Sequence, residues 1–383
     1  MTLTRERGRP GASGALRHAR RDLGLLLLVL AYLATGLWMA WRMPGFAGPN
    51  EELHYEHVAL LRRDLRLPDP NTSERMDERH QPPVYYLAAA LAAWRHPRPR
   101  LDTDFAGNPH YLGTWRGNLN PKLRVDPTSA PLLYAARLTS LAFGLLGVLA
   151  TWWSVRLLAS PGLALLVAAL LAFHPTWLQL GATAANDLPA AAMVALALAL
   201  ATRLLIADLP RGQGLVGPGS GGRPRLRDHA VWGLVFALAL LTKANAVFVG
   251  LAYGIVWLQL WQARADRAAT SAARPRRWPA GLLRETPWAM RAGAAALLGC
   301  LPPSLAWLVL NRARGLDATG VERSVPLDRL LGLRLADIGP FLPWSGRIWR
   351  SVWLDWSRGG VGLAPEPVYW LIGAVLLAAG LGW

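Results

Sequence analysis

Four short stretches of this chain place acids, imidazoles and cations where they could move a proton or hold a charged leaving group. The first is Pro49-Asn50-Glu51-Glu52-Leu53-His54-Tyr55-Glu56-His57. Asn50 followed by two acids suits a helix start, because carboxylates in the first turn favour the helix dipole. On such a helix Glu51 and Tyr55 share a face, while Glu52, His54 and Glu56 spread around it. A carboxylate there can act as a general base if burial or a partner tunes it. The alternative is a solvated amphipathic helix at a membrane surface.

The second stretch is Glu78-Arg79-His80-Gln81-Pro82-Pro83-Val84-Tyr85-Tyr86. Its two prolines fix a rigid lead into the apolar run 84–94. That run is shorter than the ~20 residues a crossing needs, so it lies on or dips into the membrane. Arg79 and His80 then sit at headgroup height, where a phosphate would be. The third stretch, Asn186-Asp187, precedes Leu188-Pro189 and reads either as a helix cap or as a polar site at a helix mouth. The fourth is Lys243, isolated in the apolar stretch 230–262; Lys122 is the only other lysine. An edge lysine of this kind pairs with a carboxylate or phosphate, or snorkels to the interface. His54 and His57 have no supporting ligand signature, so no metal site is assigned.

The elements that must position these groups are membrane helices. The chain has 383 residues, 53% hydrophobic and 17% charged, against about 25% charge in a soluble domain. Apolar blocks fall near 23–41, 131–158, 161–180, 188–207, 230–262, 290–310 and 367–383. Their Leu/Ala-rich runs lack the period-two alternation of a barrel, so they are helices. The block 230–262 is too long for one crossing and suits a hairpin turning near Thr242-Lys243-Ala244. The fold class is therefore an all-α polytopic membrane protein.

Parity orders the segments. Residues 1–22 form a basic cytoplasmic tail, the first helix at 23–41 is uncleaved, and 42–130 is a long first external loop carrying short amphipathic helices. The turns at 181–187 and 242–244 face the same side, as does the external loop 311–366. The basic loops 208–229 and 264–287 then lie inside, as the positive-inside rule requires. The abrupt end within 367–383 suggests a truncated last helix. The net charge of +17 is mostly arginine at helix flanks, which sets topology and meets anionic lipid; no nucleic-acid motif accompanies it. The single cysteine, Cys300, excludes a disulfide framework. The Leu/Ala/Arg/Gly/Pro bias points to a GC-rich bacterial genome and hence to the cytoplasmic (inner) membrane.

Taken in order, the four stretches resemble the GT-C superfamily of membrane glycosyltransferases, closest to its bacterial family-39-like and DUF2142-like members. The resemblance rests on Pro49 to Tyr55, Glu78 to Tyr86, Phe173-His174-Pro175 through Ala185-Asn186-Asp187, and Leu241-Thr242-Lys243-Ala244-Asn245. It covers roughly 23–262 and implies a GT-C-like helix bundle over 23–310. It also implies transfer of a sugar from a polyprenyl-phosphate donor to a hydroxyl of a glycan, lipid or protein acceptor. The family's usual Asp-Glu pair is Asn50-Glu51 here, so the base role passes to Glu51, with Glu52 in reserve. His54, Arg79, His80, Asn186 and Lys243 become candidate substrate-binding residues, and Asp187 orients the acceptor or helps hold a divalent ion. Metal dependence varies among members, so no cofactor is assigned. The competing readings are a transporter or lipid-carrier protein, and an inactive scaffold. A transporter would show inverted repeats and broken helices, and neither is visible in the sequence.

Overall fold

The computed structural model describes residues 12–43, 45–46, 48, 50–67, 81–96, 130–208, 224–270, 278–315, 370–371 and 374. In chain order the helices are α1 (Ala12–Arg42), α2 (Glu51–Asp64), α3 (Val84–Ala92), α4 (Ala130–Leu158), α5 (Pro161–Ala172), α6 (Pro175–Gly181), α7 (Asp187–Ala207), α8 (Leu226–Leu240), α9 (Phe248–Thr270) and α10 (Trp278–Ala313). A 3-10 turn at Ala244–Val247 joins α8 to α9. Among the described residues there is no strand. Five helices are long and apolar enough to cross a membrane, or six if α5 and α6 count as one bent span. The fold is thus all-α and polytopic, as its apolar blocks require. Residues 68–80, 97–129 and 316–369, with Arg79, His80 and most of the expected last helix, lie outside the described residues.

Two differences from expectation have local causes. The block 161–180 is not one straight helix. It breaks at His174, and its halves meet at 62°. Pro175 opens α6, and the residue before a proline is pushed from helical to extended backbone; His174 has φ −63 and ψ 127. The hairpin 230–262 does turn at Leu241–Lys243, but α8 has only 15 residues. It is about 22 Å long, short of the ~30 Å of hydrocarbon.

α4 is the hub of the first half and packs against α1, α2, α3, α5 and α6, and against α7 beyond them. α7 in turn meets α8 and α9, and α8 lies along α10. The α8–α10 contact brings backbones together. A Cβ built on Gly233 would land on the Ala296 carbonyl, and one on Gly299 would land on the Ala230 carbonyl. Small residues allow this approach where lipid gives no hydrophobic drive between helices. Gly233→Leu should therefore force the pair apart and cost about 1–3 kcal/mol. A lowered melting temperature in detergent would register it, and an unchanged melt would contradict the packing.

At one end of the bundle Asp208, at the foot of α7, accepts from Arg267 and lies 3.5 Å from the Arg264 Nε. Arg264 also stacks over Trp288 and approaches Glu285 at 3.8 Å. The basic residues expected in a loop at 264–287 thus partly belong to helices, since α9 runs on to Thr270. The described parts of the outer segments expected at 42–130, at 181–187 and near 242–244 gather at the other end.

Candidate functional site

Glu51 opens α2 and is fully buried. Its carboxylate takes a two-pronged pair from Arg137 of α4, Nε to Oε1 at 2.7 Å and Nη2 to Oε2 at 2.8 Å. The Ala184 N–H donates to Oε1 at 2.8 Å and the Gly48 N–H to Oε2 at 3.3 Å. A carboxylate has about four lone-pair sites, and four donors fill them. Arg137 spends its remaining reach on the carbonyls of Ala40 and Met43, at 2.7 and 2.9 Å. One ion pair therefore ties the end of α1, the start of α2, α4 and the α6–α7 link. This geometry does not suit the base role that the resemblance passed to Glu51. No lone pair is open to a substrate proton, and Glu51 serves as an anchor. Gly48 is required beside it, because a Cβ there would land on Thr183.

Asn50 adopts the left-handed region at φ 51, which asparagine tolerates, and makes no side-chain cap. The solvated surface helix considered for α2 is not what forms. Glu51, Glu52, His54 and His57 are all buried. The reason is α3, which carries Tyr85 and Tyr86 against α2. His54 Nδ1 lies 2.8 Å from the Tyr86 hydroxyl, and the His57 ring stacks flat on Tyr86 at 3.6 Å. His54, expected to bind substrate, is instead committed to this packing. Tyr85 donates to the Ala136 carbonyl at 3.2 Å, and burial holds its phenol well above the usual range. Ser140 Oγ lies 3.3 Å from the same hydroxyl and 3.2 Å from the Ala185 carbonyl. Tyr86→Phe would leave His54 without that partner. It should cost about 1–3 kcal/mol in a melt, and an unchanged melt would remove the bond from the account.

Asn186 is fully buried and makes no side-chain cap for α7. Its Nδ2 donates to Gln81 Oε1 at 3.1 Å and to the Thr242 carbonyl at 3.3 Å. The Val84 N–H donates to the Leu241 carbonyl at 2.9 Å. The start of α3, the α6–α7 link and the α8–α9 turn are therefore stitched together. Next to this stitch Lys243 Nζ lies 2.5 Å from Asp187 Oδ1, with side chains 25% and 47% exposed. This is the open pair of the cluster, since Glu51 and Asn186 are enclosed. Asp187 also sits in the first turn of α7, where unpaired N–H groups favour an anion.

The described parts of the four stretches singled out in the sequence thus meet at one end of the bundle. Glu51 reaches Ala184, three residues before Asp187, and Asn186 reaches both Gln81 and Thr242. Arg137, Gln81 and Ser140 were missed. The signal for Arg137 was available: an arginine well inside an apolar block demands a partner. Among the described residues no group of three or more His, Cys, Asp or Glu side chains could hold a metal ion. No family model, no curated protein and no solved structure matches the chain.

Proposed function

We propose that this protein is a membrane glycosyltransferase of GT-C type. It transfers a sugar from a polyprenyl-phosphate-linked donor to a hydroxyl acceptor at the outer face of the cytoplasmic membrane. The observation that carries the reading is the meeting of the described parts of the four stretches at one end of the bundle, with the exposed Asp187–Lys243 pair adjoining them in the chain. Such a reaction needs a base for the acceptor proton and a cation for the departing phosphate, side by side at headgroup height. Asp187 and Lys243 have those chemistries. Glu51 and Arg137 hold the frame, and Glu52 is enclosed with them. Arg79 and His80 immediately precede Gln81 in the chain and remain candidates for the lipid phosphate. Metal chemistry is left open in this reading.

One observation favours a second reading, a transporter: the break between α5 and α6. Discontinuous helices in transporters come in corresponding pairs around a midplane site. Among the described residues this bent pair has no counterpart. The test is to reconstitute the full chain in vesicles with polyprenyl-phosphate hexoses and pentoses plus a hydroxyl acceptor. Mass spectrometry should find free polyprenyl phosphate and glycosylated acceptor. Solute uptake with no donor turnover would favour the transporter.

A further inference from the structure

We propose that Lys243 is shared between two anions, Asp187 and the donor phosphate, so that donor loading is what frees Asp187 to act as base. The inference rests on the glycosyltransferase reading and deepens it. The two side chains satisfy each other at 2.5 Å. In that state the acid is occupied by a cation and the cation by an acid, so neither is ready for chemistry. Their backbones are fixed. Lys243 sits on the α8–α9 turn, whose N–H bonds back to the Ala239 carbonyl at 3.0 Å, and Asp187 opens α7. Only the flexible four-carbon stem of the lysine can move.

The donor phosphate is a diester with one negative charge, equal to that of Asp187, and it draws the ammonium by a charge-assisted bond; the polyprenyl phosphate released from it is a monoester and carries more charge. Asp187 is not left bare when this happens, because it stands at the positive N-terminal end of the α7 dipole.

The step balances. The acceptor oxygen forms a bond to the anomeric carbon as its proton passes to Asp187. The bond from the anomeric carbon to the phosphate oxygen breaks, and its electron pair leaves on the phosphate. Lys243 neutralises the charge that appears there. Until the donor is bound, Asp187 stays paired, so water in an empty site meets no free base.

The exchange makes a prediction about binding that a purely structural ion pair would not. If Asp187 competes with phosphate for Lys243, removing the acid should tighten phosphate binding. The probe is undecaprenyl phosphate titrated onto the full chain in phosphatidylglycerol nanodiscs, read by tryptophan fluorescence. Asp187→Asn and Asp187→Ser should each bind roughly two- to fivefold more tightly than wild type, the range an exposed pair can supply. Lys243→Gln should bind about tenfold more weakly, and Lys243→Arg should retain binding. Inorganic phosphate at equal concentration should not compete. Wild-type binding with both Asp187 variants unchanged or weaker overturns the exchange but leaves the transferase reading standing. Equal competition by inorganic phosphate also overturns it, because the site would then take any phosphate. No binding by wild type above the phosphatidylglycerol background removes the transferase reading and the exchange with it.

Discussion

Arg137→Met should cost about 3–5 kcal/mol of stability, the usual penalty for leaving one partner of a buried ion pair uncompensated. Both side chains are at most 1% exposed, so water cannot replace the lost guanidinium. The loss would also strip the carbonyls of Ala40 and Met43 of their donors. The double variant Glu51→Met/Arg137→Met tests the origin of the cost. It removes both charges at once and should recover a substantial part of the stability, since an apolar pair of similar volume often replaces a buried ion pair at little cost. The recovery will be incomplete, because the Ala184 and Gly48 N–H groups would lose their acceptor. Arg137→Lys should behave like a partial loss, because an ammonium cannot reproduce the two parallel bonds. Thermal melts of the four proteins in one detergent check all of this. A single variant as stable as wild type would show that the pair is not the anchor.

Asp187→Asn should lower sugar transfer by about 10²- to 10⁴-fold, the usual contribution of a positioned general base. The side chain keeps its shape and is 47% exposed, so the fold should be nearly indifferent. Losing an exposed ion pair costs about 0.2–1 kcal/mol. Activity and stability therefore separate at this residue, whereas at Glu51 they fall together. Rates from single-turnover assays beside melts of the same samples would show the separation.

Much of the fold was legible because lipid imposes simple rules. Apolar length marked α1, α4, α7 and α10, and the excess length of 230–262 marked the hairpin whose turn holds Lys243. The short run after Pro83 was rightly too short to cross, and it forms α3. The break at His174 escaped notice although Pro175 announced it, because the length of the block 161–180 alone suits one crossing and average hydropathy does not register a kink. The site was legible as a set of segments but not as a set of roles. Glu51 and Arg137 are 86 residues apart, and no periodicity links them. Glu51 was read as a base at the start of α2; α3 and α4 cover that helix, and the carboxylate pairs inward with Arg137. His54 likewise faces Tyr86 across a second layer, a contact that no pattern within α2 announces. Asp187 and Lys243 were named separately, as helix mouth and isolated cation. Only the packing of α7 against the α8–α9 turn makes them one pair.

The central claim is a division of labour, with Glu51 and Arg137 holding the frame and Asp187 and Lys243 doing the chemistry. The most direct measurement is release of polyprenyl phosphate from a polyprenyl-phosphate sugar by wild type, Asp187→Asn and Glu51→Gln in nanodiscs, beside their melts. The account predicts turnover by wild type, and an Asp187→Asn protein that melts like wild type yet turns over at least about 100-fold more slowly. It predicts a Glu51→Gln protein with a clearly lowered melt. An Asp187→Asn protein with wild-type turnover, or a Glu51→Gln protein of wild-type stability that has lost only its activity, would contradict it.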